Sequence, residues 1–93
     1  MKIIFTNGCF DILHPAHIEM LKYAKSLGDT LVVGIDSDER VKEKKGKLRP
    51  INSSEDRKQM LLAIRYVDEV YVFENDNEKM CLKSKAKESL IYY

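Results

Sequence analysis

The sequence predicts an α/β fold, a Rossmann-like three-layer half built on a parallel sheet of at least three strands. Three observations predict it. Two short apolar runs, Ile3-Ile4-Phe5 and Leu31-Val32-Val33, flank a stretch with helical spacing of its apolar residues. A third run, Val70-Tyr71-Val72-Phe73, follows a second such stretch. The first strand, helix and strand are joined by tight links, an order that implies a parallel pair.

Each element has its own signal. Lys2–Thr6 is β-rich and apolar, and Asn7-Gly8 bounds it, as expected of a buried strand. Pro15 suits a first helical position, where its missing N–H is not needed. Ile18, Leu21, Ala24 and Leu27, with the stem of Lys22, then fall near one helical face, and Gly28 is a candidate C-cap. Leu31–Ile35 reads as the second strand, followed by a short helix over Ser37–Val41. Lys42, Lys44, Lys45, Lys47 and Arg49, with Glu43 the one acid among them, read as a mobile basic loop that Pro50 closes. A helix N-terminus comes next, capped either by Ser53 with Asp56 or by Asn52 with Glu55. That helix runs through Met60, Leu61, Ile64 and Tyr66 to the third strand. After Glu74 the pattern weakens. Asn75-Asp76-Asn77 is turn-like, Leu82, Ala86, Leu90 and Tyr93 fit one helix face, and no fourth strand is expected. The expected organisation is therefore an α/β domain over 1–74 and a divergent segment, helical or partly disordered, over 75–93.

Composition bounds the function classes. Ninety-three residues make one small domain with a thin core. Sixteen basic against fifteen acidic residues leave a net charge of +1, so no global field steers the chain to nucleic acid or an anionic membrane. A hydrophobic share of 44% with 33% charged residues excludes disorder along the whole chain. Its apolar runs are far shorter than a membrane span needs, and the N-terminus lacks the pattern of a signal peptide. Two cysteines, Cys9 and Cys81, make neither a disulfide framework nor a four-ligand zinc site, so a cytoplasmic setting is the default.

The chemistry concentrates between the first strand and the first helix, in Asn7-Gly8-Cys9-Phe10-Asp11-Ile12-Leu13-His14-Pro15-Ala16-His17. Open α/β sheets bind ligands at that place. With Pro15 as the first helical residue, His14 falls at the N-cap and His17 in the first turn, beside unpaired N–H groups and the positive end of the helix dipole. Two imidazoles there suit a phosphate whose charge grows in a transition state. Gly8 allows the backbone to turn close to a ligand. The plainer readings are surface histidines or a metal pair, and no third and fourth zinc ligands lie nearby. Cys9 reads as a small buried hydrophobe rather than a nucleophile, because no base is expected beside it. The basic run is on its own a solvated loop, Arg65 with Asp68 an i,i+3 surface pair, and Asp11 a turn residue.

Residues 7–17 resemble the signature of the HxGH nucleotidylyltransferase superfamily, in its cytidylyltransferase-like branch. Gly46–Asn52 is similar to the heptose-specific adenylyltransferase domains, and Arg65–Val70 to the glycerol-3-phosphate cytidylyltransferases. The resemblance implies transfer of CMP or AMP from CTP or ATP, with Mg2+, to a small phosphorylated acceptor such as glycerol 3-phosphate or a sugar phosphate, with loss of pyrophosphate. It assigns catalysis to His14, His17 and Lys44. It assigns nucleotide binding to Asn7, Gly8, Cys9, Phe10 and Asp11 of the signature, with Arg65 and Asp68 near sugar and base. No protein metal site is expected, and a homodimer joined near Arg65–Val70 is. The family tetrad has glycine where this chain has Ala16, which predicts weaker triphosphate binding. Nothing after Phe73 matches the family's Ser/Thr-rich phosphate motif. Residues 75–93 therefore read as replacement sequence in a truncated chain. The alternative functions are an inactive nucleotide-binding remnant and a fragment that needs a partner chain.

Overall fold

The computed structural model describes residues 2–85 and 89–92. Four strands form one parallel sheet: β1 (Ile3–Gly8), β2 (Thr30–Asp36), β3 (Glu69–Phe73) and β4 (Ser89–Tyr92), in the order β3-β2-β1-β4. Helix α1 (Pro15–Ser26) links β1 to β2, α2 (Asp38–Lys45) and α3 (Ser54–Leu62) link β2 to β3, and α4 (Asp76–Lys85) precedes β4. Successive strands step outward from β1 to β3, and β4 then returns to the other side of β1. That reversal makes the carboxyl end of β1 a topological switch point, where such sheets bind ligands.

β1 and β2 are buried on both faces, so their side chains alternate between two apolar layers. Ile4, Leu31, Val33, Ile35 and Val70 form one layer and pack on Leu21 and Ala24 of α1 and Leu61 of α3. Phe5 and Val32 lie on the opposite layer. Side-chain caps or a proline open three helices, and Ser37, expected inside the second, is its N-cap. Pro15 opens α1, Ser37 Oγ accepts from Arg40 N at the start of α2, and Ser53 Oγ accepts from Asp56 N at the start of α3. Between the two capping pairs the sequence allowed for α3, the structure selects Ser53.

Four expectations are corrected. Lys42, Lys44 and Lys45 belong to the last turn of α2 and not to a loop, where their charge opposes the negative end of the helix dipole. The α3 helix ends at Leu62, short of Ile64 and Tyr66. Gly28 is not the C-cap of α1, which is Leu27 in ordinary right-handed geometry. Glycine is required at 28 by a close approach instead, since a Cβ there would stand 2.8 Å from the Lys2 carbonyl oxygen. Finally, the segment after Glu74 supplies both a helix and a fourth strand. The spacing of Leu82 and Leu90 suggested one helix, but the open edge of β1 offers paired hydrogen bonds to an extended Leu90-Ile91-Tyr92. The Ala86 and Tyr93 positions of that expected helix lie outside the described residues.

The Lys2 carbonyl is itself fixed by hydrogen bonds from Asp29 N (2.8 Å) and Thr30 N (3.3 Å), so it cannot yield to a new methyl group. Gly28→Ala is expected to lower stability by about 1–3 kcal/mol, read from the urea midpoint at unchanged slope.

Candidate functional site

β1 ends at Gly8 and β2 one step further at Asp36, with Gly8 registered on Ile35. Beyond these ends lies a cavity of about 310 Å³, lined by Asn7, Gly8, Cys9, Phe10, His17, Asp36, Lys44 and Lys45. Its size falls at the low end of small-molecule sites. One wall is the first strand and the start of α1. The other is the end of β2 and the cationic last turn of α2.

The histidines are built into the first turn of α1. His14 is the N-cap, and its Nδ1 accepts from Ala16 N at 3.1 Å. His17 Nδ1 accepts in turn from His14 N at 3.0 Å. A ring nitrogen that accepts carries no proton, so both rings hold theirs on Nε2. Each histidine therefore spends one nitrogen on the helix terminus and keeps an N–H donor on the other. The Phe10 ring meets His17 edge-on, with centroids 5.4 Å apart. Phe10 is buried and has φ +50, the left-handed region that bulky residues rarely enter. The tight turn that glycine suggested at position 8 is thus made two residues later, where it swings an aromatic ring against the second histidine.

Asp11 lies behind this wall. Its carboxylate accepts from Asn52 N (2.8 Å), Ile51 N (2.9 Å) and Arg49 Nε (2.7 Å). Burial alone raises its pKa, but the Asn52 and Ile51 N–H groups and the Arg49 guanidinium outweigh that and hold it below the ordinary carboxylate value. Asp11 therefore ties the segment after Gly46 to the first-strand turn. Cys9 is half-buried at the cavity wall rather than in the core.

Arg57, in α3, is the functional residue that the sequence concealed. Its guanidinium is almost wholly buried and donates to the carbonyls of Cys9 (2.9 Å), Asp36 (2.8 Å) and Asn52 (3.1 Å) and to Asp38 Oδ1 (2.8 Å). Four donors of one side chain thus fix the turns after β1 and β2 and the entry to α3. The available signal was its spacing, four residues before the buried Leu61. Asp36, Arg40 and Lys44 were also legible by spacing at i, i+4 and i+8. Asp36 Oδ1 accepts from Arg40 Nε (2.9 Å) and Lys44 Nζ (3.4 Å), and the Arg40 guanidinium lies 5.1 Å from the Phe73 ring centre.

Of the residues expected at the site, the structure brings Asn7, Gly8, Cys9, Phe10, His17 and Lys44 to one cavity. His14 sits beside it, bonded to His17, and Asp11 lies behind. Arg65 and Asp68 are not brought there. They occupy the turn before β3, at the opposite end of the sheet. Asp68 there accepts from Lys25 Nζ and from Leu31 N (2.7 Å), and so ties the start of β2 to the turn before β3. Among the described residues no group of three or more His, Cys, Asp or Glu side chains is arranged to hold a metal.

A parallel sheet with its cavity at the switch point, two histidines on a helix N-terminus and lysines opposite define an α/β protein of Rossmann-like build. The cytidylyltransferase-like family profile matches residues 5–92, and the chain belongs to that family. Among curated proteins, the Bifunctional protein HldE of Campylobacter fetus subsp. fetus is 48% identical over 89 residues, which cover 96% of this chain and 19% of that protein. HldE of Campylobacter jejuni subsp. doylei is 55% identical over 75 residues, 81% of this chain and 16% of that protein. The chain thus spans about a fifth of the length of these relatives. A solved structure of a lipopolysaccharide core biosynthesis protein from Thermoplasma volcanium superposes with a TM-score of 0.80 at 32% identity, over 94% of this chain and 69% of that one. Both the family match and the Campylobacter fetus alignment take in most of residues 75–92, so that segment is family sequence and not a replacement.

Two tests address the framework of the site. Arg57→Met orphans three carbonyls and one carboxylate and is expected to cost about 3–5 kcal/mol in urea unfolding, with Arg57→Lys recovering only part. Asp11 titrates below its ordinary 3.8 when folded, so the unfolded chain takes up that proton first as pH falls. The stability advantage of the native chain over Asp11→Asn is therefore full above pH 3.8 and declines as pH drops through the folded value, as acid titration of the two melts would show.

Proposed function

We propose that the chain is the nucleotide-handling part of a nucleotidylyltransferase, which moves CMP or AMP from CTP or ATP to a small phosphorylated alcohol or sugar. The observation that carries this reading is the cavity that His17 lines at the N-terminus of α1, with His14 bonded beside it and Lys44 and Lys45 on the far wall. An oxygen of the acceptor phosphate attacks the α-phosphorus. The bond from that phosphorus to the bridging oxygen breaks, and pyrophosphate leaves with the electron pair. His14 and His17 donate to the transferring phosphate, whose oxygens gain charge during the step. No proton transfer is asked of them, in keeping with Nδ1 atoms already committed to the helix terminus.

Lys44, with Lys45 beside it, supplies charge to the phosphates from α2, and Gly8 and Phe10 shape the floor. Asn7, Cys9 and Asp11 are assigned to nucleotide binding through this turn. Arg65 and Asp68, at the other end of the sheet, serve the nucleotide in this reading only through a second chain joined near Arg65–Val70. Magnesium is assigned as a companion of the triphosphate, since it keeps most of its waters and binds chiefly through substrate phosphates. When bound it neutralises phosphate charge. The reading places the chain in the cytoplasm and assigns it neither a nucleic-acid nor a membrane partner; no described helix is long and apolar enough to cross a membrane.

The test is thermal unfolding with CTP and with ATP, each with magnesium, followed by pyrophosphate release with glycerol 3-phosphate and with sugar phosphates. A ligand that binds only the folded chain raises its melting temperature. One nucleotide is expected to do so, and His14→Ala and His17→Ala each to lower turnover about 10²–10³-fold. A cooperative melt that neither nucleotide moves contradicts the proposal. Ala16 stands at the second helical residue with its N–H given to His14, and Ala16→Gly is expected to strengthen the nucleotide shift by removing a methyl group from the phosphate approach.

A further inference from the structure

Asp36 is out of character for a phosphate site. It is buried, it lines the cavity beside Lys44 and Lys45, and its charge repels the ligand those lysines attract. Its two oxygens are used unequally. Oδ1 takes both Arg40 Nε (2.9 Å) and Lys44 Nζ (3.4 Å), while Oδ2 has no protein donor among the described residues. Arg40 holds this carboxylate still, because its guanidinium also reaches Asp76 Oδ1 (3.2 Å) and lies on the Phe73 ring. A second acceptor in the same lining, Asn7 Oδ1, is buried with no hydrogen-bond partner.

Asn7 Oδ1, buried without a partner, calls for a donor, and Asp36 Oδ2 beside it in the same lining has room to accept another. A phosphate supplies none, for its oxygens accept. A further cation is disfavoured at Asp36, where two already share one carboxylate. What remains is a neutral donor carried by the same ligand beside its phosphate, which is an alcohol. We infer that Asp36 is a specificity-determining residue, whose Oδ2 accepts a hydrogen bond from a hydroxyl group adjacent to the phosphate held by Lys44 and Lys45. The position agrees with the general habit of a carboxylate at the end of the second strand of such sheets to take hydroxyl donors. The inference rests on the phosphate-binding reading above and names what the site requires next to the phosphate. The hydroxyl belongs either to the nucleotide ribose or to the acceptor, and paired probes separate the two.

The experiment is calorimetric titration of the intact chain, with magnesium, using CTP and ATP against their 2′,3′-dideoxy forms, and glycerol 3-phosphate against propyl phosphate. The native chain is expected to prefer the hydroxylated member of one pair by about tenfold or more, the range of a hydrogen bond to a charged group. Asp36→Ala is expected to bind both members of that pair alike, whatever it does to phosphate affinity through Lys44. If Asp36→Ala loses its cooperative melt, Asp36→Asn replaces it; the shape is kept, the charge is gone, and the preference is expected to fall at least threefold. A preference in the nucleotide pairs assigns the ribose, and one in the glycerol pair assigns the acceptor. Equal binding within every pair by the native chain overturns the inference and leaves the phosphate site standing, as does a preference that persists undiminished in the variant. Failure of all the probes to bind overturns both.

Discussion

One buried guanidinium holds the site together. Arg57 donates to carbonyls just after β1, at the end of β2 and before α3, and to a carboxylate at the start of α2. These are the segments that leave the sheet at its carboxyl end, where strand pairing no longer fixes the backbone. A carbonyl turned inward at such a turn has no ladder partner and must find a donor elsewhere. A planar side chain with five donors meets several such needs at once, which an ammonium cannot. The burial of a charge is tolerated because nearly every donor is used and Asp38 balances it.

The rest of the site follows from a division of labour among charges. The positive potential comes from two sources with different rigidity. The α1 terminus and its two histidines are fixed by their mutual hydrogen bonds, and the left-handed turn at Phe10 sets the ring that His17 meets. The α2 lysines ride on flexible stems, and Lys44 is half exposed with Asp36 as its anchor. A fixed wall with directional donors and an adaptable wall with mobile charge suit a ligand whose phosphate changes geometry and charge during transfer. Asp36 and Asp11 temper this field. Asp11 spends its charge on the 49–52 segment, whereas Asp36 spends its charge through one oxygen on Arg40 and Lys44.

Much of this was legible in the residues. The period of the apolar residues gave three strands and the first helix, since burial on both faces of a parallel sheet leaves continuous apolar runs. Pro15 and the histidines three apart located the helix terminus and the switch-point cavity. The similarity of residues 7–17 to a known signature pointed to the family that the profile then matched over 5–92. Less legible were the places where a local signal had two outcomes. Gly28 resembled a helix stop and serves a close approach to the Lys2 carbonyl. The basic run resembled a loop, but its first three lysines complete a helix, and only Lys47 and Arg49 lie beyond it. Leu90-Ile91-Tyr92 carried too little local preference to be a strand until the edge of β1 stood beside it.

The sequence by itself determined the order of elements through β3, the start of α1 at Pro15, and which residues gather at the end of β1. These depend on interactions within a few residues, which spacing records directly. Tertiary structure alone decided which side chains meet across the chain. Arg57 lies 48 positions from Cys9, Arg49 38 from Asp11, and Asp68 37 from Leu31. Contacts so distant in sequence leave no periodic trace, because their geometry arises only when the sheet brings the turns together. For the same reason Arg65 and Asp68, which resemblance had grouped with the nucleotide, stand at the far end of the strands from the histidines.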